Sequence, residues 1–458
     1  MMKLKNSLLL IFLVSVVITF SSCGSNTSDK GLANGKVEQV KHPEWSKNLS
    51  IYEVNIRQFT PEGTFNALQP HLPRLKELGA DIIWLMPINP IGELNRKGTL
   101  GSYYSISDYL TLNPEFGIEE DFKNLIKTAH ENNLYVIIDW VANHSAWDNP
   151  MVKEHPDWYQ QDSSGKMVSP FDWSDVVAFD YSNSEMNDYM LNAMKFWLTE
   201  YDIDGFRCDV AGMVPDTFWV RVRTELDKIK PVFMLAEDEA PRHHAAFDMT
   251  YGWEFHHVMN NIYKGEKNAN DIEKYLRKND SLYPSDAYRM YFITNHDENS
   301  WNGTEYERLG EGVKAFYVLT ATVPGMPLIY TGQEAAMNKR LEFFEKDAVD
   351  WNDYPQADFY HQLFELKKNN PALYNGDFGG SWKRIITDKD KEVFAILREK
   401  GNSKVISVVN LSAEPLTFNL KGDAFAGDYT LLYSNEKVSL VADQSLTLPA
   451  WGFQVYFK

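Results

Sequence analysis

The sequence predicts an α/β fold: a (β/α)8 TIM barrel with an inserted loop domain after its third strand, followed by a C-terminal antiparallel β-sandwich. Three observations predict it. From Leu49 onward, short apolar runs alternate with amphipathic helical stretches, as in a parallel sheet. A long segment rich in Trp, Pro, Asp and Ser interrupts that alternation after the third run, and beyond about Gly376 the helical period gives way to short alternating strands.

The barrel strands are placed at Leu49–Val54, Asp81–Met86, Leu134–Val141, Ile203–Val210, Val232–Ala236, Asp248–Tyr251, Met290–Thr294 and Met326–Tyr330. Between them, Phe65, Leu68, Leu72, Leu75 and Leu78 line one helical face, and Gly79 follows as a stop signal. A second helix carries Phe122, Leu125, Ile126 and Ala129. A third opens on Ser182 and Glu185, spaced as a capping box, ahead of Met186, Met190, Met194 and Leu198. That Met stripe reads as core packing. The inserted domain spans about 143–181 within a barrel domain of 42–375, and it projects from the carboxyl-end face, where barrels of this kind place their sites. The sandwich occupies 376–458, with strands at Glu392–Arg398, Lys404–Asn410, Asp428–Tyr433 and Gly452–Phe457.

The N-terminus reads as a targeting segment. Lys3 and Lys5 precede an apolar run from Leu8 to Phe20, then Ser21, Ser22 and Cys23. The run is short for a membrane span and matches a secretory signal, and small residues directly before a cysteine resemble a bacterial lipobox. Residues 1–22 are therefore expected to be removed, Cys23 to carry a lipid that holds the exported chain to the cell envelope, and 23–41 to form a polar tether. The other cysteine, Cys208, reads as a buried core thiol rather than a disulfide partner. A formal charge of −19 over 458 residues argues against nucleic acid and against an anionic membrane surface as partners.

Four strand ends carry polar residues where a buried strand ought to stay apolar. They are Asp139-Trp140-Val141-Ala142-Asn143-His144, Gly205-Phe206-Arg207-Cys208-Asp209, Ala236-Glu237-Asp238 and Asn295-His296-Asp297. In a parallel barrel all four emerge on one face and converge. Several carboxylates with His and Arg, and no Ser-His or Cys-His pair at comparable positions, point to acid/base and carboxylate-nucleophile chemistry. Cleavage of a glycosidic bond needs that pairing, one carboxyl to protonate the leaving oxygen and another to attack the sugar carbon.

These four segments resemble those of the α-amylase family of glycoside hydrolases (family 13), in the same order and on the same strands, and GSYYSISDY (101–109), AFDYSN (178–183) and GMPLIYTGQE (325–334) add to the likeness. The resemblance implies an enzyme cleaving α-1,4 bonds of starch, glycogen or maltodextrins with retention of configuration, in endo or exo mode. It makes Asp209 the nucleophile, Glu237 the general acid/base and Asp297 the third carboxylate. Tyr104, His144, Arg207, His296 and Asp139 become the residues that hold the sugar or brace the nucleophile. It also implies a structural Ca2+ on Asn143 and Asp180, although Val210-Ala211-Gly212-Met213 follows Asp209 where many relatives end in Lys-His. Alternatives within the family are an α-1,6-oligoglucosidase, a cyclodextrin-degrading enzyme and a transglycosylase. Outside it stand a silent sugar-binding protein, disfavoured because all three acids are present, and a barrel enzyme for phosphorylated substrates. The last is disfavoured by Glu334, whose charge would repel phosphate.

Overall fold

A computed structural model describes residues 40–458. The expected signal segment and the lipid-bearing Cys23 lie outside the described residues, as does the tether before residue 40. No helix among the described residues is long and apolar enough to cross a membrane.

Eight parallel strands close into a barrel: β1 (Ile51–Val54), β2 (Ile82–Leu85), β3 (Tyr135–Trp140), β6 (Gly205–Cys208), β7 (Phe233–Ala236), β8 (Met249–Tyr251), β9 (Tyr288–Tyr291) and β10 (Met326–Tyr330). The circumferential order is β1-β10-β9-β8-β7-β6-β3-β2, so β1 pairs with β10 and seals the cylinder. A short antiparallel hairpin, β4 (His144–Ala146) with β5 (Val176–Ala178), rises from the end of β3 and anchors the inserted segment.

Side-chain parity sorts each strand into two layers. Ile51, Ile82, Trp84, Ile137, Phe233, Leu235, Met249, Met290 and Leu328 fill the barrel interior. Their neighbours Tyr52, Ile83, Ile138, Phe206, Cys208 and Met234 face outward into the layer shared with the helices. Cys208 is thus buried and unpaired, as its parity predicts. Gly205 starts β6 because a Cβ there would stand 1.9 Å from the Phe233 carbonyl oxygen on the adjoining strand.

Helix boundaries follow local chemistry. The first predicted helix is broken into Phe65–Leu68, a 3-10 turn Gln69–His71 and Leu72–Leu78, since Pro70 and Pro73 each lack an N–H. Gly79 ends it in the left-handed region at φ 104°. The Met-striped helix runs Ser184–Tyr201, and its cap is Asn183, whose side chain accepts from the Glu185 and Met186 amides, not Ser182. Met186, Met190 and Met194 are buried in the core. The seventh barrel strand begins at Tyr288 and ends at Tyr291, earlier than predicted. The charge at Arg289 hid its start, yet that side chain is buried against Glu239 and Thr250.

Beyond the barrel, β11 (Ser381–Ile385), β12 (Val393–Lys400), β13 (Ser403–Asn410), β18 (Phe453–Phe457), β15 (Gly427–Leu431) and β16 (Lys437–Leu440) form one antiparallel sheet in that order. The pair β14 (Leu416–Asn419) and β17 (Ser445–Leu448) covers it through Phe418 and Leu448, which pack on Leu397, Ile406 and Tyr456.

Candidate active site

At the carboxyl ends of the strands the inward rows turn from apolar to ionisable. Glu53 stands two residues above Ile51, Asp139 two above Ile137, Asp209 two above Arg207 and Glu237 two above Leu235. Alternation along a strand therefore aims all four carboxylates at the barrel axis.

Arg207, fully buried, is the hub. Its Nη1 donates to Asp139 Oδ1 at 2.9 Å and to Asp209 Oδ1 at 3.0 Å, and its Nε donates to the Tyr251 hydroxyl at 3.2 Å. Nη2 stands 2.9 Å from Glu237 Oε2, an ion-pair distance reached without hydrogen-bond alignment. One guanidinium thus touches three carboxylates. Glu237 Oε2 also accepts from the Val210 amide at 2.8 Å. Val210 sits at φ 37°, a left-handed conformation that costs a β-branched residue free energy, and this turn directly after Asp209 aims the amide at Glu237.

A second network joins the first through Tyr104, whose hydroxyl donates to Asp139 Oδ2 at 3.1 Å and lies 2.8 Å from His296 Nε2. His296 Nδ1 is bonded to the Glu53 carboxylate, and its Nε2 is 3.3 Å from Asp297 Oδ2. The Tyr104 ring lies nearly parallel to that of Phe343, centroids 6.3 Å apart, which continues a flat aromatic surface toward the rim. His144, at the start of β4, is buried with Nδ1 3.1 Å from the side-chain Nδ2 of Asn143.

Tyr104, His144, Asp209, Glu237, His296 and Asp297 line one cavity of about 430 Å³. Arg207 and Asp139 lie beneath it as supports. Glu53, Trp84 and Tyr251 escaped the sequence. Trp84 donates its indole N–H to Asp139 at 3.2 Å and lies under the Arg207 guanidinium. A lone carboxylate inside the apolar run Ile51-Tyr52-Glu53-Val54 was the available signal, because a buried charge needs a partner. The rim residues Trp173, Trp301, Phe343 and Phe344 come from loops without period. Trp301 rides a π-helical turn, Glu298–Asn302, begun directly after Asp297.

Burial sets the proton affinities. Desolvation raises Asp209 to about 6 against the pull of Arg207 and with a push from Asp139. It raises Glu237 further, to about 8, where Arg207 opposes and the charges of Asp209 and Asp297 assist. Asp139 rises to about 6 for the same first reason. Burial alone would lower His296, but the carboxylates of Asp297 and Glu53 overcome it and hold the ring near 9, while desolvation drops His144 to about 3. At neutral pH the site therefore holds Asp209 ionised and Glu237 protonated, two carboxyls in opposite states on one guanidinium.

The predicted calcium ligands meet at the hairpin base, where the Phe179 amide donates to the Asn143 carbonyl at 3.1 Å and Asp180 follows. Asp180 Oδ1 already accepts from the Ser182 amide. Among the described residues no three His, Cys, Asp or Glu side chains gather as a metal cluster. Ca2+ takes about six to eight oxygens, so carbonyls and water would have to join the Asn143 and Asp180 side chains in any shell here.

The model of the alpha-amylase catalytic domain matches residues 25–179 and 156–372 of this sequence. The chain belongs to the alpha-amylase family. The maltogenic amylase C-terminal domain matches residues 384–455. Among curated relatives of this alpha-amylase family member, an alpha-amylase of Haloarcula japonica is 26% identical, covering 95% of this chain and 67% of that one. A maltogenic alpha-amylase of Bacillus acidopullulyticus is 27% identical over 90% of this chain and 78% of its own. A solved maltogenic alpha-amylase of Thermotoga neapolitana superposes with a TM-score of 0.82 at 32% identity, covering 90% and 98% of the two chains.

Proposed function

We propose that this family member hydrolyses α-1,4-glucosidic bonds of starch, glycogen or maltodextrins with retention of configuration. The observation that carries the reading is the shared guanidinium of Arg207 under Asp209 and Glu237, which holds the two acids at the floor of one cavity. Retaining cleavage wants the two carboxyl groups about 5–5.5 Å apart, close enough for one to attack the carbon whose leaving oxygen the other protonates. Asp209, kept ionised by Arg207, attacks the anomeric carbon and forms a β-glycosyl ester. Glu237 gives its proton to the departing oxygen, and the sugar beyond that oxygen leaves. Glu237, now a carboxylate, takes a proton from water, which attacks the same carbon and releases Asp209. Asp297, His296 and neutral His144 face the sugar hydroxyls, and Tyr104 supplies the flat surface beneath the ring.

The test is the initial rate on maltooligosaccharides across pH, with the anomer of the first product read by NMR. The rate is expected to rise as pH passes about 6 and Asp209 ionises, and to fall past about 8 as Glu237 loses the proton it must donate. The first product is expected in the α form. A β product, or no sugar released, overturns the reading. Calcium enters it only as a structural tie at Asn143 and Asp180. Exhaustive chelation is expected to lower the melting temperature, and an unchanged one removes the ion from the reading.

A further inference from the structure

Three loops on one side of the cavity are tied to one another, and the tie lies across the barrel from Glu237. The segment 92–101, which follows β2, is held to the inserted hairpin at one end and to the loop after β10 at the other. On the hairpin side, Lys97 Nζ pairs with Asp175 Oδ1 at 3.1 Å, and Asp148 Oδ2 accepts from the Glu93 and Leu94 amides at 2.7 and 3.1 Å. On the other side, the Leu100 amide donates to the Phe344 carbonyl at 3.0 Å and the Thr99 amide to Glu345 at 2.8 Å. Gly98, at φ 63°, permits the approach, since a Cβ there would lie 2.4 Å from that of Phe344. From below, Arg57 donates to the Gly101 and Leu100 carbonyls at 3.0 and 3.2 Å.

The circumference tells which end of a sugar chain this wall faces. In the order β1-β10-β9-β8-β7-β6-β3-β2, β1 stands opposite β7; two of the three tied loops follow its neighbours, β2 and β10, and the third, the hairpin, follows β3 beside β2. Glu237 ends β7. The acid that protonates the leaving oxygen faces the departing part of the chain, so the part retained on Asp209 extends the other way, into the wall. Lys97, Asp175 and Phe344 line the same cavity as the two acids.

We propose that the Lys97–Asp175 bridge and the pinned 92–101 segment close the glycone end of the cleft. The enzyme then works from the non-reducing end of α-glucans and releases short sugars. This deepens the proposed hydrolase function and rests on it. A substrate with no free non-reducing end, such as a cyclic or end-blocked maltodextrin, would have to thread past the wall.

The experiment compares p-nitrophenyl maltoheptaoside with the same compound blocked at the 4- and 6-hydroxyls of its non-reducing glucose, measuring products by chromatography. Wild-type enzyme is expected to cleave the free-ended compound at least about tenfold faster in kcat/KM. Equal rates overturn the proposal. Cleavage of neither compound, nor of any maltooligosaccharide, fails the hydrolase reading instead. Lys97→Ala is expected to narrow the ratio several-fold by raising the rate on the blocked compound relative to the free-ended one, because one of the ties holding the segment is lost. A ratio unmoved by Lys97→Ala overturns the part given to the bridge.

Discussion

Asp209→Asn is expected to lower kcat/KM on maltoheptaose by at least about 10⁴-fold while leaving the fold intact. An amide can accept the Arg207 hydrogen bond, so the shape of the site survives, but it cannot form the glycosyl ester. Stability should move the other way. The folded protein holds the Asp209 carboxyl at about 6, above its ordinary value, so the native state binds protons more tightly than the unfolded chain. Stability tied to this group is full at low pH and is lost as pH rises from the ordinary carboxylate range through about 6. Asn never ionises and avoids that loss. A melting temperature at pH 7 equal to or above that of the parent is therefore expected alongside the lost activity. Retained sugar release would remove Asp209 from the mechanism.

Arg207→Met should damage both activity and fold. The side chain is fully buried, is the shared counter-charge of Asp139 and Asp209, and also touches Glu237. Removing one partner of a buried ion pair costs about 3–5 kcal/mol, because the remaining charge stays desolvated and unpaired. Here the orphaned carboxyls must bind protons instead, which leaves no ionised nucleophile at neutral pH. Urea unfolding at pH 7 checks the magnitude, and a second measurement near pH 5 separates the cause. Protonating the carboxyls relieves the repulsion, so the gap between variant and parent should shrink as pH falls through about 6, the range in which Asp139 and Asp209 titrate in the parent. A gap constant across pH would indicate lost packing rather than lost charge.

The convergence of the candidate site residues was legible in the sequence because strand ends in a parallel barrel share one face, and a polar residue there stands out against an apolar run. Asp139, Arg207, Asp209, Glu237, His296 and Asp297 could all be read that way. Parity alone separated Cys208 from its two neighbours. Glu53 was harder, since its strand has no polar tail, and its partner His296 lies 243 residues along the chain. Trp84 and Tyr251 looked like ordinary interior residues until their polar tips were seen bonded to Asp139 and Arg207. The helix starting at Ser184 shows a local limit: Ser182 and Asn183 are both good caps, and only the path of the chain out of β5 decides between them. Loop contacts such as Lys97 with Asp175 carry no periodic signal at all.

The seam between β1 and β10 has a consequence for how the enzyme comes into being. Glu53 belongs to the first strand and reaches His296 beyond the ninth, while its own backbone carbonyl receives Thr331 from the end of the tenth. Such contacts are closed across most of the chain length, and contacts of that kind form slowly. No N-terminal fragment that stops before β10 contains both sides of the seam, and a barrel lacking that strand leaves β1 paired on one edge only, with β2. The chain is thus catalytically mute until its two distant ends are brought together, and activity marks completed closure more strictly than helix content does.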